Sequence, residues 1–128
     1  MERRVVPAES PYVATVGYSR AVRVGPHVHV SGTAPIMPGE ADPPIDPYEQ
    51  TKRCLEIVLE ALADVGAQPE HVVRTRAYLV DADDWKDVGR AHGEVFGSVR
   101  PATAFIVVRS LLDRRWKVEL EAEALVPE

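Results

Sequence analysis

The sequence contains few residues of the kinds that crosslink a chain or anchor it in a membrane. One cysteine in 128 residues excludes an intrachain disulfide. No apolar run is long enough to cross a bilayer. The N-terminal stretch MERRVVPAESPY is charged and lacks the apolar segment of a signal peptide, so we expect a cytoplasmic protein without a membrane partner. The lone Cys54 lies in an apolar, helix-like segment, which predicts a small buried side chain.

Basic residues are also in deficit. Lys and Arg number 15 against 20 Asp and Glu, which gives a net charge of −5. Proteins that bind nucleic acid usually present an excess of positive charge, so we expect no nucleic-acid partner. The length fits a single domain, residues 1–128, and suffices to bury a core without crosslinks.

The usual signatures of bound cofactors and metals are missing. The sequence has no G-x-S-x-G elbow, no P-loop and no G-x-G-x-x-G fingerprint. His27 and His29 share a predicted strand face, and such a pair can ligate zinc, but no third ligand lies nearby in the sequence. We therefore expect no cofactor and no metal. His92, on an apolar helix face, is predicted to be a packing residue.

The first half of the chain begins with strands and a long loop. We predict a strand near Arg3–Val6 and then a loop as far as Tyr18. A Gly-Pro pair predicts a turn between two strands, Arg20–Val24 and His27–Ser31. Residues 32–47 are rich in proline and predict a long loop, a type of segment that often carries function.

A helix is predicted over Pro47–Val65. Asp46 is a favourable N-cap, proline suits the first helical position, and Gly66 is a natural residue just beyond the C-terminus. Apolar or small side chains recur at three- and four-residue spacing and form one stripe: Thr51, Cys54, Leu55, Val58, Leu62 and Val65.

The second half of the chain predicts three strands and one helix, in the order strand Val72–Val80, helix Trp85–Phe96, strand Ala102–Val108 and strand Trp116–Val126. In the first of these strands, alternation places four residues on one face: Val73, Thr75, Ala77 and Leu79. Gly89 and Gly93 lie four apart within the helix, which indicates that something packs closely against their shared face. Two amphipathic helices on one face of a single sheet make a two-layer domain of the α+β or α/β class.

The last strand carries a row of carboxylates, Glu119, Glu121 and Glu123, opposite an apolar face. Two interpretations stay open. The row is a solvated sheet face, or another subunit covers it, in which case partial burial raises a carboxyl pKa and equips it for acid–base work. Arg74 and Arg76, on one face of another strand, are the expected ionic partners of this row.

Five segments, taken in order, resemble the Rid family, also called YjgF-like or reactive intermediate deaminase proteins and described as L-PSP endoribonuclease-like. The segments are GYSRAVRVGPHVHVSGTAP (17–35), EQTKRCLEIVLEALADVGA (49–67), VVRTRAYLVDADDW (72–85), VFGSVRPATAFIVV (95–108) and VELEAEA (118–124). The resemblance implies a chorismate-mutase-like α+β domain whose mixed sheet is backed by two helices on one face. It also implies a homotrimer with small-molecule pockets at the subunit interfaces.

The same resemblance implies an activity and a set of site residues. Deaminases of the family hydrolyse imines and enamines. By resemblance, a glutamate at Glu119 positions the water, and Tyr18 with the Ser31-Gly32 backbone completes the pocket. The family's Pro-Ala-Arg arginine grips the substrate carboxylate, but here Pro-Ala is followed by Thr103.

Thr103 and Phe105 are therefore expected to line a pocket with altered substrate choice, and the archetypal 2-aminoacrylate deaminase activity is not expected. Arg100, Arg20 or an arginine from another subunit remain candidates for replacing the missing clamp. Three functional hypotheses stand at this point: an imine or enamine hydrolase with non-standard substrates, a non-catalytic binding or assembly module of the same fold, and an endoribonuclease or translation inhibitor. The net charge and the absence of a basic aromatic groove disfavour the third.

Overall fold

A computed structural model describes residues 1–127 and contains one six-stranded mixed sheet with its main helices on one face. The elements are β1 (Arg3–Pro7), α1 (Val13–Val16), β2 (Ser19–Val24), β3 (His27–Thr33), α2 (Pro47–Asp64), β4 (Val72–Leu79), α3 (Trp85–Phe96), β5 (Ala102–Val107) and β6 (Val118–Leu125). The strand order is β1-β2-β3-β6-β4-β5, and only β4 and β5 run parallel to each other. The α+β prediction is confirmed. Over these residues no helix has the length and apolar character needed to cross a membrane.

Helix α2 forms where the sequence predicts it, and it ends one residue earlier. Asp46 caps it by accepting a hydrogen bond from the backbone N–H of Tyr48 at 3.2 Å. Gly66 adopts a φ of 78°, the left-handed conformation that allows the chain to turn away from the helix. The predicted stripe is buried against the sheet, so tertiary packing and local propensity agree along the whole helix.

The core lies between the sheet and the pair α2–α3. It is built from β-branched, leucine and alanine side chains of both layers, including Val28, Val30, Val58, Leu62, Val88, Val118 and Leu120. Phe96 and His92, both on α3, fill one end of the core, and their ring centroids lie 4.9 Å apart. Cys54 is fully buried in the core, as predicted. His92 is likewise confirmed as a packing residue.

Two local predictions differ from the structure. The predicted loop before Tyr18 contains the four-residue helix α1. Alternation predicts Val73 in the core, but Val73 is 44% exposed while Val72 is 3% exposed. The reason is a register shift between Val72 and Arg74 against β6, because a bulge moves one extra residue outward and breaks strict alternation.

The sequence predicts close packing against Gly89 and Gly93 of α3, but within residues 1–127 of this chain only Gly89 has a neighbouring side chain. A Cβ built on Gly89 would lie 3.9 Å from Phe105 Cε2, which is ordinary contact. A Cβ on Gly93 would meet no atom within 4 Å among the described residues. The expectation is therefore wrong for Gly93 within one protomer.

The long proline-rich loop is tied to the core through Gln50, whose side chain is fully buried in α2. Its amide donates to the carbonyls of Pro44 (2.7 Å) and Arg115 (2.8 Å), and its Oε1 accepts from the N–H of Lys117 (2.7 Å). Gln50→Leu leaves these three backbone groups unpaired, and we expect it to lower the free energy of unfolding by about 3 kcal/mol. Urea denaturation measures this, with the exposed Glu56→Leu as control, expected within about 0.5 kcal/mol of wild type. Equal stability of the two variants would contradict the assignment.

Candidate functional site

The site begins with a bulge in the pairing of β3 and β6. Val30 pairs with Ala122 and Thr33 pairs with Leu120, so that two residues of β3 lie opposite Glu121 alone. These two residues, one more than the partner strand supplies, are the predicted Ser31-Gly32 pair. Bulges of this kind redirect side chains and backbone groups and are over-represented next to active sites.

The side chain of Glu119 occupies the space that Gly32 leaves open. A Cβ built on Gly32 would lie 2.5 Å from Glu119 Oε2, a separation that real Cβ atoms do not adopt. A residue with a Cβ at this position would displace the end of the Glu119 side chain, so Gly32 leaves room for the carboxylate where it lies. Two residues that the resemblance pairs in one pocket are in direct contact in this fold.

The buried side chain of Arg20 connects several of these residues. It is only 6% exposed, and its Nη1 contacts Ser31 Oγ (2.9 Å), the carbonyl of Gly32 (2.7 Å) and Thr33 Oγ1 (3.0 Å). Its Nη2 reaches the hydroxyl of Tyr18 at 3.5 Å. Tyr18, Ser31, Gly32 and Glu119 are thus brought together around one buried guanidinium.

Burial raises the pKa of Glu119 above its ordinary value. The nearby carboxylate of Glu121 raises it further, whereas the positive charge of Arg20 acts in the opposite direction. A raised pKa brings the protonated and ionised forms closer to balance near neutral pH, as a general acid or base requires. Glu119 therefore has the environment of a proton-transfer residue.

The other two carboxylates of the row are engaged in pairs across β4 and β6. Arg76 lies 3.1 Å from Glu123 and 3.7 Å from Glu121, and the Tyr78 hydroxyl donates to Glu121 Oε1 at 2.8 Å. Pairing with Arg76 is therefore as predicted. Arg74 differs, because within residues 1–127 it makes no ion pair with the row and its buried Nε has no acceptor.

Thr103 and Phe105 lie on the opposite face of the sheet from the carboxylate row. The parallel register of β4 and β5 places Thr103 beside the buried Thr75, on the helix side. Phe105 packs towards His92 there, with ring centroids 6.2 Å apart. One chain therefore holds two separate groups of the predicted site residues, with β4 between the strands that carry Glu119 and Thr103.

The hydroxyl of Thr103 ends a chain of hydrogen bonds that starts at the half-buried imidazole of His92. His92 Nε2 lies 2.8 Å from Thr75 Oγ1, which lies 2.7 Å from Thr103 Oγ1, and this oxygen reaches the carbonyl of Pro101 at 3.0 Å. Each hydroxyl has one proton. In either direction of the chain, the Thr103 proton is used within the protein, donated to Pro101 or to Thr75. Thr103 then offers only acceptor lone pairs to a ligand.

Of the two named arginines of this chain, Arg20 is held in the buried network, whereas the exposed Arg100 stays a candidate for the carboxylate clamp. Arg20 is committed to the Ser31-Gly32 bulge. The Arg100 guanidinium donates to the carbonyl of Gly97 at 3.0 Å, at the end of α3. An arginine of another subunit stays a prediction. His27 and His29 are exposed, and residues 1–127 contain no group of three side chains suited to hold a metal ion.

Three features define a class of small α+β proteins. They are the mixed sheet, the layer of two helices, and the glycine bulge that accommodates a half-buried carboxylate. Comparison with known proteins identifies the class. The chain belongs to the family described as Endoribonuclease L-PSP, whose sequence model matches residues 8–126. The resemblance to Rid and YjgF-like proteins is thereby confirmed.

Relatives extend over nearly the whole chain. An uncharacterized protein of Streptomyces coelicolor is 42% identical over 125 residues, covering 94% of this chain and 90% of the relative. A mouse protein named 2-iminobutanoate/2-iminopropanoate deaminase is 30% identical over 124 residues, covering 96% of this chain and 91% of its own. The crystal structure of a YjgF/YER057c/UK114 family member from Mycobacterium tuberculosis superposes with a TM-score of 0.87 at 41% identity, covering 98% of this chain and all of that one. The YjgF-like fold is confirmed.

Proposed function

We propose that this protein hydrolyses small imines or enamines in pockets formed between copies of the chain. The observation that carries the proposal is the half-buried Glu119 carboxylate, which lies against the Gly32 backbone and has a raised pKa. The deaminase named among its relatives supports the reaction class. Glu119 is the proposed catalytic residue, and Tyr18, Ser31 and Gly32 form the wall beside it.

In the proposed reaction, water adds across the C=N bond of the substrate. Glu119 accepts a proton from the attacking water as the C–O bond forms, and returns it to the nitrogen. The hydroxyl group of this carbinolamine then loses its proton to the nitrogen as the C–N bond breaks, so that ammonia leaves and a carbonyl group remains. The carboxyl ends in the protonation state in which it began, so a pKa raised above the ordinary value suits both transfers.

The proposed assembly is a homotrimer, and the division of the site supports it. Glu119 and Thr103 lie on opposite faces of one sheet, so the two groups of residues form a single pocket only if two copies meet. The open face also carries apolar side chains that are exposed in one chain, Val5 (50%) and Ile106 (36%). Arg74 Nε, buried without an acceptor, favours a partner that supplies one.

The proposed substrate class follows from Thr103. An arginine at this position would donate two parallel hydrogen bonds to a carboxylate, but Thr103 presents only acceptors. A carboxylate there would face lone pairs and remain unpaired, which is unfavourable in a partly buried pocket. The proposed substrates therefore carry an N–H donor, such as a carboxamide, where the archetypal substrate has its carboxylate.

Substrate preference tests this proposal directly. We expect ammonia release to be faster from 2-iminopropanamide than from 2-iminopropanoate, which share a skeleton and differ in the group presented to Thr103. Thr103→Val removes the acceptor and is expected to slow the amide reaction about tenfold. Thr103→Arg is expected to reverse the preference towards the carboxylate.

Thr15→Val is the matched control, because Thr15 is exposed on α1 and outside the site. A wild-type preference for the carboxylate would contradict the assigned substrate class. Absence of turnover with both compounds, together with their binding in a thermal-shift assay, would instead favour the non-catalytic module. RNA cleavage that disappears in Glu119→Gln would favour the ribonuclease.

A further inference from the structure

A second concave surface lies outside the candidate active site. It is a groove of about 830 Å³ between the N-terminal segment, the proline-rich loop after β3 and one side of α2. This volume falls in the range of roughly 300–1,000 Å³ that small-molecule sites occupy. Of the residues assigned to the catalytic pocket, only Arg20 also lines the groove.

More of the groove lining is apolar than polar. Ile36 and Met37 come from the loop, Ile57 comes from α2, and Trp116 lies at the start of the segment leading into β6. The Tyr12 ring meets the Trp116 ring edge-on, with centroids 6.1 Å apart. Such a surface favours a ligand with an apolar body, because binding removes hydrocarbon from water on both sides.

The positive charges of the groove are already used within the chain. Arg53 Nε donates to the carbonyl of Ile36 at 2.7 Å. Arg115 makes 2.7 Å ion pairs with Asp113 and Asp42. Arg20 is held by the bulge of β3, as described above. None of these guanidiniums is available as a main anchor for an anionic ligand.

Most of the carboxylates in the groove lining, in contrast, have no ionic partner within residues 1–127. Four carboxylates of the lining, Glu9, Glu40, Glu60 and Asp64, form no ion pair within residues 1–127. All four are exposed, and the potentials of like charges that line one groove add. The chemical complement of such a surface is a positive charge on an apolar body.

We propose that this groove is a binding site for a small organic amine, protonated at neutral pH and carrying an apolar group. The ammonium lies among the free carboxylates, and the apolar group contacts Ile36, Ile57 and Trp116. The site is separate from the imine-hydrolysing pocket, and its existence does not depend on that activity.

The fluorescence of Trp116 can report binding in this groove. The other tryptophan, Trp85, is 55% exposed at the start of α3 and lies outside the groove, so Trp85→Phe leaves Trp116 as the single reporter. Cyclohexylamine, cyclohexanol and cyclohexanecarboxylate are close in shape and differ in charge. We expect saturable Trp116 fluorescence changes with the amine, at least fivefold weaker binding of the alcohol, and no binding of the carboxylate.

Charge variants and salt make the test specific. Glu60→Gln with Asp64→Asn, both exposed on the last turn of α2, is expected to weaken amine binding at least fivefold while leaving the fold intact. Glu70→Gln makes the same type of change outside the groove and is expected to have no effect. Raising salt from about 20 to about 300 mM is expected to weaken binding of the amine and not of the alcohol. Equal affinity for the amine and the alcohol, equal effects of the two sets of variants, or no saturable change with the amine would each overturn the proposal.

Discussion

Glu119→Gln is expected to reduce imine hydrolysis by about 10²–10⁴-fold, the range that loss of a general acid or base produces. Glutamine keeps the shape of the side chain and its contact with Gly32 but cannot exchange a proton. The effect is expected mainly in kcat, because the substrate wall formed by Tyr18 and Ser31 is unchanged. Steady-state ammonia release from the preferred imine measures it.

The same variant has a second expected effect, on stability. Because folding raises the pKa of Glu119, the folded state holds its proton more tightly than the unfolded state. This carboxyl has no influence on stability at pH values well below its ordinary pKa of 4.5, and it destabilises the folded state as pH rises from 4.5 through the raised folded-state pKa. Glu119→Gln is therefore expected to melt at a higher temperature than wild type at neutral pH and at the same temperature near pH 3.

Glu123→Gln is the matched control, because it neutralises a carboxylate of the same row that is paired with Arg76. We expect it to retain most of the activity. Activity of Glu119→Gln equal to that of this control would exclude Glu119 as the proton-transfer residue. A thermal stability of Glu119→Gln equal to wild type at neutral pH would contradict the assigned burial effect.

Gly32→Ala is expected to lower activity about 100-fold, because displacing a catalytic group by about 1 Å can have an effect of this size. The added methyl would stand 2.5 Å from Glu119 Oε2, so the carboxylate must leave its position. The reaction is then slowed although every functional side chain is still present. Ammonia release and the crystal structure of the variant together test this expectation.

Gly93→Ala is the control for the change of glycine to alanine. Its Cβ has open space in this chain and lies within α3, where alanine is favoured over glycine by about 1 kcal/mol. We expect full activity for Gly93→Ala. Combining Gly32→Ala with Glu119→Gln is expected to give little further loss, because both changes act through one carboxyl. Additive losses would show that Gly32 acts independently of Glu119.

The regular elements of the fold could be predicted closely from the sequence. The bounds of α2 follow from the Asp46 cap and Gly66, which are local signals that tertiary packing does not oppose. The alternation of β6 also predicts its two faces correctly. Val73 could not be placed, because the bulge that moves it outward arises from pairing with β6, a strand more than 40 residues away in the chain.

The candidate site was harder to predict from the sequence than the fold was. Tyr18, Ser31, Gly32 and Glu119 were named by resemblance, and the structure places them together. The organising role of Arg20 was missed, although its position opposite Ser31 in the predicted hairpin was a signal for it. The use of the Thr103 hydroxyl proton within the protein could not be foreseen, because it depends on Thr75 and His92, which come close to Thr103 only after β4, α3 and β5 have packed.

The carboxylate row of β6 also protects the fold against mispairing. Side chains alternate strictly along a strand, so a slip of one residue between β6 and its neighbours would exchange the two faces. Glu119, Glu121 and Glu123 would then point into the layer beneath α2, and Val118 and Leu120 would point into water. Burying three carboxylates without partners is so unfavourable that the shifted pairing cannot compete with the native one. The row that contains the proposed catalytic Glu119 thus also determines which strand alignment the chain adopts.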